Sequence, residues 1–562
     1  MALLLASPTS IAIENPCPVF LQKFLTQLTP QQQLKMADLI KKDPDLAKES
    51  NELFDLLPKI QSGQASVRDP HLLDLVENIG AKLQNSGKLP DLLRQIAAQA
   101  KQMGKLPASL TPEKLDGLIT MASSAFDAEL SARGLTTLSQ GAKYEDWTKL
   151  ATRMTTETEN AVKDILAKNP GKSGFEIPEF VKTFEQQTGS TFTDGNEIKL
   201  LINGEASFAE RARLIDAAKE RIHIMSWAFY DDVTGNTFAD QLIKKAKGGV
   251  EVKVMVDGQV ALQPDHMQVL KRMEDNGIQV IRWRSTDPLR RFDGQHRKFM
   301  IFDNQEVVGG GMNFGDVYSH MGPETTAKWR DTDVYMKGPA TLDAQKLYAK
   351  LWNEQITKRG VIDGKTLSPI EVKAPVFDGT NTSKISLVNH QPGQGENVYR
   401  ANLLAIEGAT KTIDIENAYF ILDPATYRAL LRAKKRGVRV RILTNSATSV
   451  DEPIVSMPIM QSVNRLAKQD FEVYVKAGTN TLHSKAMTVD GMYSWIGSYN
   501  FHPRSFRYEG EVTMNVLDPN FAKATQDMFQ ADIDIATRVK TPIALPKNMG
   551  ATAVGYYLYD QL

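Results

Sequence analysis

The chain of 562 residues holds a single cysteine, no surplus of charge and no long apolar run. Cys17 alone excludes an intrachain disulfide and any multi-cysteine zinc cage. Lysine plus arginine and aspartate plus glutamate each number 67. A protein that coats nucleic acid concentrates excess positive charge, so no nucleic-acid partner is expected. No stretch approaches the roughly 18 uninterrupted apolar residues that a membrane-spanning helix needs. The opening MALLLASPTSIAIENP has no basic segment before its apolar residues, so a secretory signal is not expected. Neither a lipobox before Cys17 nor a prenylation signal in the closing YLYDQL is found. The expected location is the cytoplasm or the surface of a membrane. What is present is ordinary globular composition, 42% hydrophobic and 24% charged. At about 150 residues per domain, the length predicts three or four units.

The first part reads as helix after helix. Leu21, Phe24, Leu25 and Leu28 follow the spacing of a buried helical stripe. Thr29-Pro30 and Thr111-Pro112 are helix starts, the first closed as a capping box by Gln32. Near residue 197 the pattern changes to alternating strands and helices. Ile222 to Tyr230 reads as a strand, FADQLIKKAK as a helix, and Val250, Val252, Val254 and Val256 as a strand with one buried face. The order returns as Ile413 to Phe420, ATYRALLRAKK, and Val438, Val440 and Ile442. This is an internal duplication of an α/β unit. The expected domains are a helical accessory domain over 1–195, two α/β halves over 196–375 and 376–540, and a tail over 541–562. The helical domain is the candidate surface for a protein partner.

Each half ends in the same constellation. QHRKFMIFDNQEVVGGGMNF supplies His296, Lys298, Asp303, Gly311 and Asn313. LHSKAMTVDGMYSWIGSYNF supplies His483, Lys485, Asp490, Ser498 and Asn500. The spacings from histidine to asparagine and from aspartate to asparagine are identical in both. In an extended segment, residues two apart share a face, so each histidine projects with its lysine. Face to face, the halves would assemble two imidazoles, two ammonium groups and two amides around one pocket. The lysines and asparagines would hold the non-bridging oxygens of a phosphate. One neutral imidazole could attack phosphorus while the other, protonated, donates to the leaving oxygen. Neither metal nor cofactor is expected, because the positive charge is already built in.

Each imidazole also needs an orienting group. Aligning RYEGEVTMNVLDP with WRDTDVYMKGP makes Asp331 the counterpart of Glu511. The expected pairs are Asp331 with His296 and Glu511 with His483. Asp303 and Asp490 are expected to fix strand ends. His223 reads as a core histidine, whereas His320 and His502 are candidates for the pocket rim. Trp283 and the MPIM stretch after Val455 are candidates for shallow insertion at a lipid interface.

The paired H-x-K-x-x-x-x-D motifs, with G-G-x-N in one half and G-S-x-N in the other, resemble the phospholipase D superfamily over residues 197 to 540. GGGMNFGDVY, ENAYFILD, SYNFHPRS and LTNSATSVDEP resemble bacterial cardiolipin synthases. The resemblance implies α/β/α sandwich halves that share one active site, preceded here by an all-α region. It implies a phosphohistidine intermediate on His296, with His483 as the acid, and a phospholipid substrate. Transfer of a phosphatidyl group to a second glycerol-containing lipid is the expected activity. Hydrolysis to phosphatidic acid, a nuclease-type phosphodiesterase and an inactive lipid-binding scaffold are the alternatives, in that order. The chain departs from the family at Glu509, where asparagine is common, and in its helical first third.

Overall fold

Valine- and isoleucine-rich segments flanked by amphipathic helices favour a sheet covered on both faces, and the computed structural model has that form. It describes residues 147–286, 290, 293–377 and 379–543. The helices expected before residue 147, with their starts at Thr29-Pro30 and Thr111-Pro112, lie outside the described residues, as does the tail from 544 onward. The first half contributes β1 (Thr193–Ile202), β2 (Arg221–Ser226), β3 (Glu251–Asp257), β4 (Gln279–Trp283), β5 (Gly294–Gln295), β6 (Phe299–Phe302), β7 (Glu306–Gly310) and β8 (Thr332–Lys337). The second contributes β9 (Ser383–His390), β10 (Thr412–Asn417), β11 (Arg439–Thr444), β12 (Glu472–Val475), β13 (Lys485–Val489), β14 (Tyr493–Gly497), β15 (Glu509–Leu517) and β16 (Thr537–Arg538).

One sheet runs through both halves in the order β16-β12-β11-β10-β13-β14-β15-β9-β1-β8-β7-β6-β2-β3-β4. Outward from the β9–β1 seam, β15-β14-β13-β10-β11-β12 mirrors β8-β7-β6-β2-β3-β4. The duplication in sequence is therefore a pseudo-two-fold in space. Within each half, three strands are parallel (β2-β3-β4 and β10-β11-β12) and the other strands of this order pair antiparallel, while β5 lies off it, parallel to β15. Alternate residues serve opposite faces, as a pleated strand requires. Ile222, Ile224, Val252, Val254 and Val256 join one core with Phe208, Phe238 and Leu270. Met225, Met255 and Ile281 join another that also takes Ile385, Leu387, Val512 and Met514 from the second half. That second core crosses the seam and makes the halves one body.

The expected strand over Ile222 to Tyr230 stops at Ser226, because Trp227 leaves the sheet to line the site. Helices Trp147–Lys168 and Pro178–Thr188 belong to the compact unit that carries the sheet, which begins at 146. Phe175, between them, stacks on Tyr493 at 4.1 Å, and Arg400 of the second half bonds Glu157 at 2.9 Å. Two interface expectations are corrected. Trp283 is buried in the sheet core, and Met457, Ile459 and Met460 are buried on helix Pro453–Ala467. A short apolar run does not show in sequence which way it faces. No helix among the described residues is long and apolar enough to cross a membrane.

Asp303 and Asp490 sit in the left-handed region, at φ 47° and 54°, where the sheet turns after β6 and β13. Aspartate tolerates that backbone because its short side chain bonds locally. The Asp303 carboxylate accepts from the amides of Lys219, Glu220 and Arg221, at 2.8–2.9 Å, at the start of β2. Asp490 accepts from Thr410, Lys411 and Thr412 at the start of β10. Each aspartate ties the turn of its motif to the neighbouring strand, well away from the histidines.

Candidate active site

Two short crossings between the halves build the site. The start of β15 runs parallel to β5, with Gly510 opposite Gln295, and the amide of His296 donates to the carbonyl of Gly510 at 2.9 Å. In the mirror position, Arg330 bridges Leu482, and the amide of His483 donates to the carbonyl of Arg330 at 2.7 Å. Each histidine segment is thus laid beside the other half's acid-bearing strand.

That geometry overturns the expected pairing. His296 Nδ1 meets both oxygens of Glu511 at 3.1 Å, and His483 Nδ1 meets Asp331 Oδ2 at 2.7 Å. Alignment of the two halves paired residues within a copy, whereas backbone pairing across the seam exchanges them. With Nδ1 donating to a carboxylate, each imidazole leaves Nε2 as its free lone pair. Ser498 and Ser505 donate to Glu511, and the amide of Thr332 donates to Asp331 at 2.7 Å.

The two copies differ where the acid approaches. A Cβ added to Gly311 would stand 2.1 Å from Asp331 Oδ1. The equivalent Ser498 instead has room to bond Glu511. Glycine in one motif and serine in the other thus reflect how closely each carboxylate passes. Gly311→Ala is expected to push Asp331 off His483 and cut kcat about 100-fold, with a smaller loss in KM. Steady-state kinetics on the folded variant measures this.

Lys298 Nζ donates to the carbonyl of His296 at 2.7 Å, and Lys485 Nζ to that of His483. Burial pushes Lys298 down to about 7 and Lys485 to about 8. Burial also lowers His483, and lowers His296 well below its ordinary value, with Lys298 adding to the effect. An empty site therefore holds these groups partly uncharged near neutral pH. A phosphodiester anion would restore the charge. Binding at pH 8 is expected to take up about one proton, read by calorimetry in buffers of differing ionisation heat; binding with no uptake would show the lysines already charged.

The amides are unequal. Asn313 donates to the Tyr318 hydroxyl at 3.0 Å and accepts from the Ala228 amide at 3.2 Å and Ser226 Oγ at 3.3 Å. Asn500 Oδ1 is buried with no partner among the described residues. The sequence reading missed an aromatic wall around His483. Trp329 stacks on it at 5.4 Å, Tyr318 meets it edge-on at 5.1 Å and Tyr419 at 6.3 Å. Trp329 comes from a loop, Tyr318 from the short helix Asp316–Ser319 and Tyr419 from a turn, although Tyr318 and Tyr419 lie within the quoted GGGMNFGDVY and ENAYFILD. His223 is buried and bonds Glu251 at 2.9 Å. His320 bonds Glu205 and the Trp329 carbonyl, each at 2.9 Å, and so supports the wall rather than lining the pocket. His502 is buried and stacks on Tyr419 at 6.0 Å.

His296, Glu509 and Glu511 bring three metal-capable atoms within 4.8 Å of one another. Each already has a partner. Glu511 takes His296, Ser498 and Ser505, and Glu509 accepts from Arg504 Nε at 2.7 Å. A cation there would have to displace this set, so the residues fit an imidazole anchor better than a metal site.

Two carboxylate-anchored histidines and two buried lysines thus meet at the seam of a duplicated sheet. The family model described as "Cardiolipin synthase, PLD-like domain" matches residues 212–344 and 403–533. Cardiolipin synthase A of Pseudomonas entomophila (strain L48) is 31% identical over 357 residues, covering 61% of this chain and 70% of the relative. Cardiolipin synthase 1 of Bacillus cereus is 28% identical over 380 residues, covering 63% and 69%. Among solved structures, phosphatidylserine synthase from Haemophilus influenzae Rd KW20 matches with a TM-score of 0.54 at 16% identity. It covers 67% of this chain and 97% of that one, a likeness of fold. The chain belongs to the cardiolipin synthase, PLD-like family, and is a phosphatidyltransferase of the phospholipase D superfamily.

Proposed function

We propose that the enzyme moves a phosphatidyl group from one phospholipid to the hydroxyl of a second, glycerol-containing lipid, in the manner of a cardiolipin synthase. His296 Nε2 attacks phosphorus, and the bond from phosphorus to the headgroup oxygen breaks as His483, protonated on both nitrogens once the phosphodiester anion is bound, gives that oxygen its Nε2 proton. The acceptor hydroxyl then returns a proton to His483, its oxygen bonds to phosphorus, and His296 departs as a neutral imidazole that keeps its Nδ1 proton, hydrogen-bonded to Glu511. Lys298 and Lys485 hold the non-bridging oxygens as charge gathers on them. Supporting this reading above all is the pair of imidazoles anchored through Nδ1 to opposite halves, which leaves two Nε2 atoms to act in turn. The substrate would be drawn from a membrane surface on which the protein docks peripherally.

The test is mass spectrometry of products from vesicles of phosphatidylethanolamine and phosphatidylglycerol, with and without a short alcohol. Cardiolipin, joined by a phosphatidyl-alcohol when the alcohol is present, is the expected result. Phosphatidic acid alone would replace transfer by hydrolysis, and no lipid product would sink the proposal.

A further inference from the structure

Besides Gly311 against Ser498, the pseudo-two-fold breaks at a second position beside the reacting groups. Two residues before Asp331 stands Trp329, whose ring lies over His483; two residues before Glu511 stands Glu509. Glu509 is buried, and its Oε2 lies 3.8 Å from His296 Nδ1. His296 thus has a second carboxylate 3.8 Å from its Nδ1 and an edge-on Trp227. His483 has a stacked indole and one bonded carboxylate, its second carboxylate, Asp451, being engaged by the Tyr419 hydroxyl. Arg504 fixes Glu509 in place through its Nε. Burial opposes ionisation of Glu509, but His296 and Arg504 hold its carboxyl below the ordinary value. It therefore stays anionic across the working range.

The two histidines need different help. The nucleophile keeps its Nδ1 proton while Nε2 bonds to phosphorus, so its ring becomes cationic in the intermediate. The acid must give its proton away, and a second carboxylate would oppose that; an aromatic face supports an imidazolium without binding its proton. We propose that Glu509 is a positioning residue that makes His296 the histidine bonded to phosphorus, by setting a second negative charge against the ring edge that turns positive as the bond forms. The inference rests on the phosphohistidine mechanism above and adds the feature that breaks its symmetry. It also gives the departure from asparagine at this position a purpose in this chain.

The charged groups around His296 are Glu509 and Glu511 from β15, Lys298 from its own strand, and Lys485 and His483 from the other half. Arg504 and His502 stand behind Glu509. Of these, Glu509 is the carboxylate that favours the protonated ring most strongly. Its removal lowers the pH at which His296 loses its proton.

The experiment compares wild type, Glu509→Gln and Glu509→Asp on the same vesicles across pH, with acid-labile phosphohistidine trapped and mapped. Glu509→Gln is expected to lower kcat about tenfold and to move the acidic limb of kcat/KM down by about one pH unit. Glu509→Asp should keep the limb in place, since it keeps the charge. A limb that does not move in Glu509→Gln, whatever the loss of rate, overturns the proposal. So does an equal shift in Glu509→Asp, or a wild-type adduct mapped to His483. If Glu509→Gln does not fold, the mapped adduct and the aspartate variant decide alone. Failure of the wild type to make any lipid product would sink the reading of function instead, and would be seen before any variant is compared.

Discussion

His296→Ala is expected to lower kcat/KM at least ~10⁴-fold and to leave no trace of a covalent phosphatidyl adduct, because the attacking atom is gone. His483→Ala should lose a similar factor in turnover yet behave differently when stopped part-way. Attack by His296 remains available, so a lipid with a good leaving group should load the enzyme once and stay there, with nothing to activate the acceptor. Single-turnover trapping with a labelled phospholipid separates the two. An adduct in His296→Ala, or none in His483→Ala with an activated donor, would reverse the assignment. Both side chains are buried and nearly closed off from solvent. Thermal melts of the variants should accompany the kinetics, so that loss of fold is not read as loss of chemistry.

The second large effect comes from the exchanged carboxylates. Glu511→Gln should imitate His296→Ala, with turnover down about 10³-fold and little adduct, although Glu511 lies in the second half of the chain. Asp331→Asn should imitate His483→Ala, loading once and stalling. Replacing the carboxylate by an amide lets the imidazole settle in the wrong tautomer, with its proton on the nitrogen that must react. Pairing within a half predicts the opposite correspondence, so the adduct assay on these two variants decides between them. Burial raises the Glu511 carboxyl, whereas His483 and Lys485 hold Asp331 below its ordinary value against the burial penalty. Glu511 is therefore the more easily protonated orienter. As pH falls it would lose its hold on His296 before Asp331 loses His483.

How much of this was readable from residues alone follows the range of each interaction. The histidines and lysines stand out because extended backbone places them two apart on one face, and the asparagines because their spacing from the histidines is the same in both copies. The alternating strands were legible for the same reason, and β3 and β11 lie where their valines and isoleucines put them. The exchange of Asp331 and Glu511 was not legible. It depends on β5 pairing with β15 and on Arg330 bridging Leu482, contacts between residues more than 150 positions apart. Trp329, in a loop, and Tyr318, on a single helical turn, were missed because isolated aromatics carry no period. Trp283 and the MPIM stretch were misread because an apolar residue near a basic run looks the same whether it faces lipid or a sheet. Gly311 was noticed as part of a motif, but the reason for it, a carboxylate passing where a methyl would stand, needs coordinates.

The exchange of carboxylates across the seam also bears on how such a chain can change over time. A duplicated gene segment ordinarily leaves one copy free to drift while the other keeps the work. Here drift in the first half at Asp331 disables the second half's acid, and drift in the second at Glu511 disables the first half's nucleophile. Each copy is hostage to the other. The tolerated differences are then those that distinguish the two histidines without severing either link, such as Gly311 against Ser498 and Trp329 against Glu509. The crossing joins the groups of both copies into one site that neither copy can abandon.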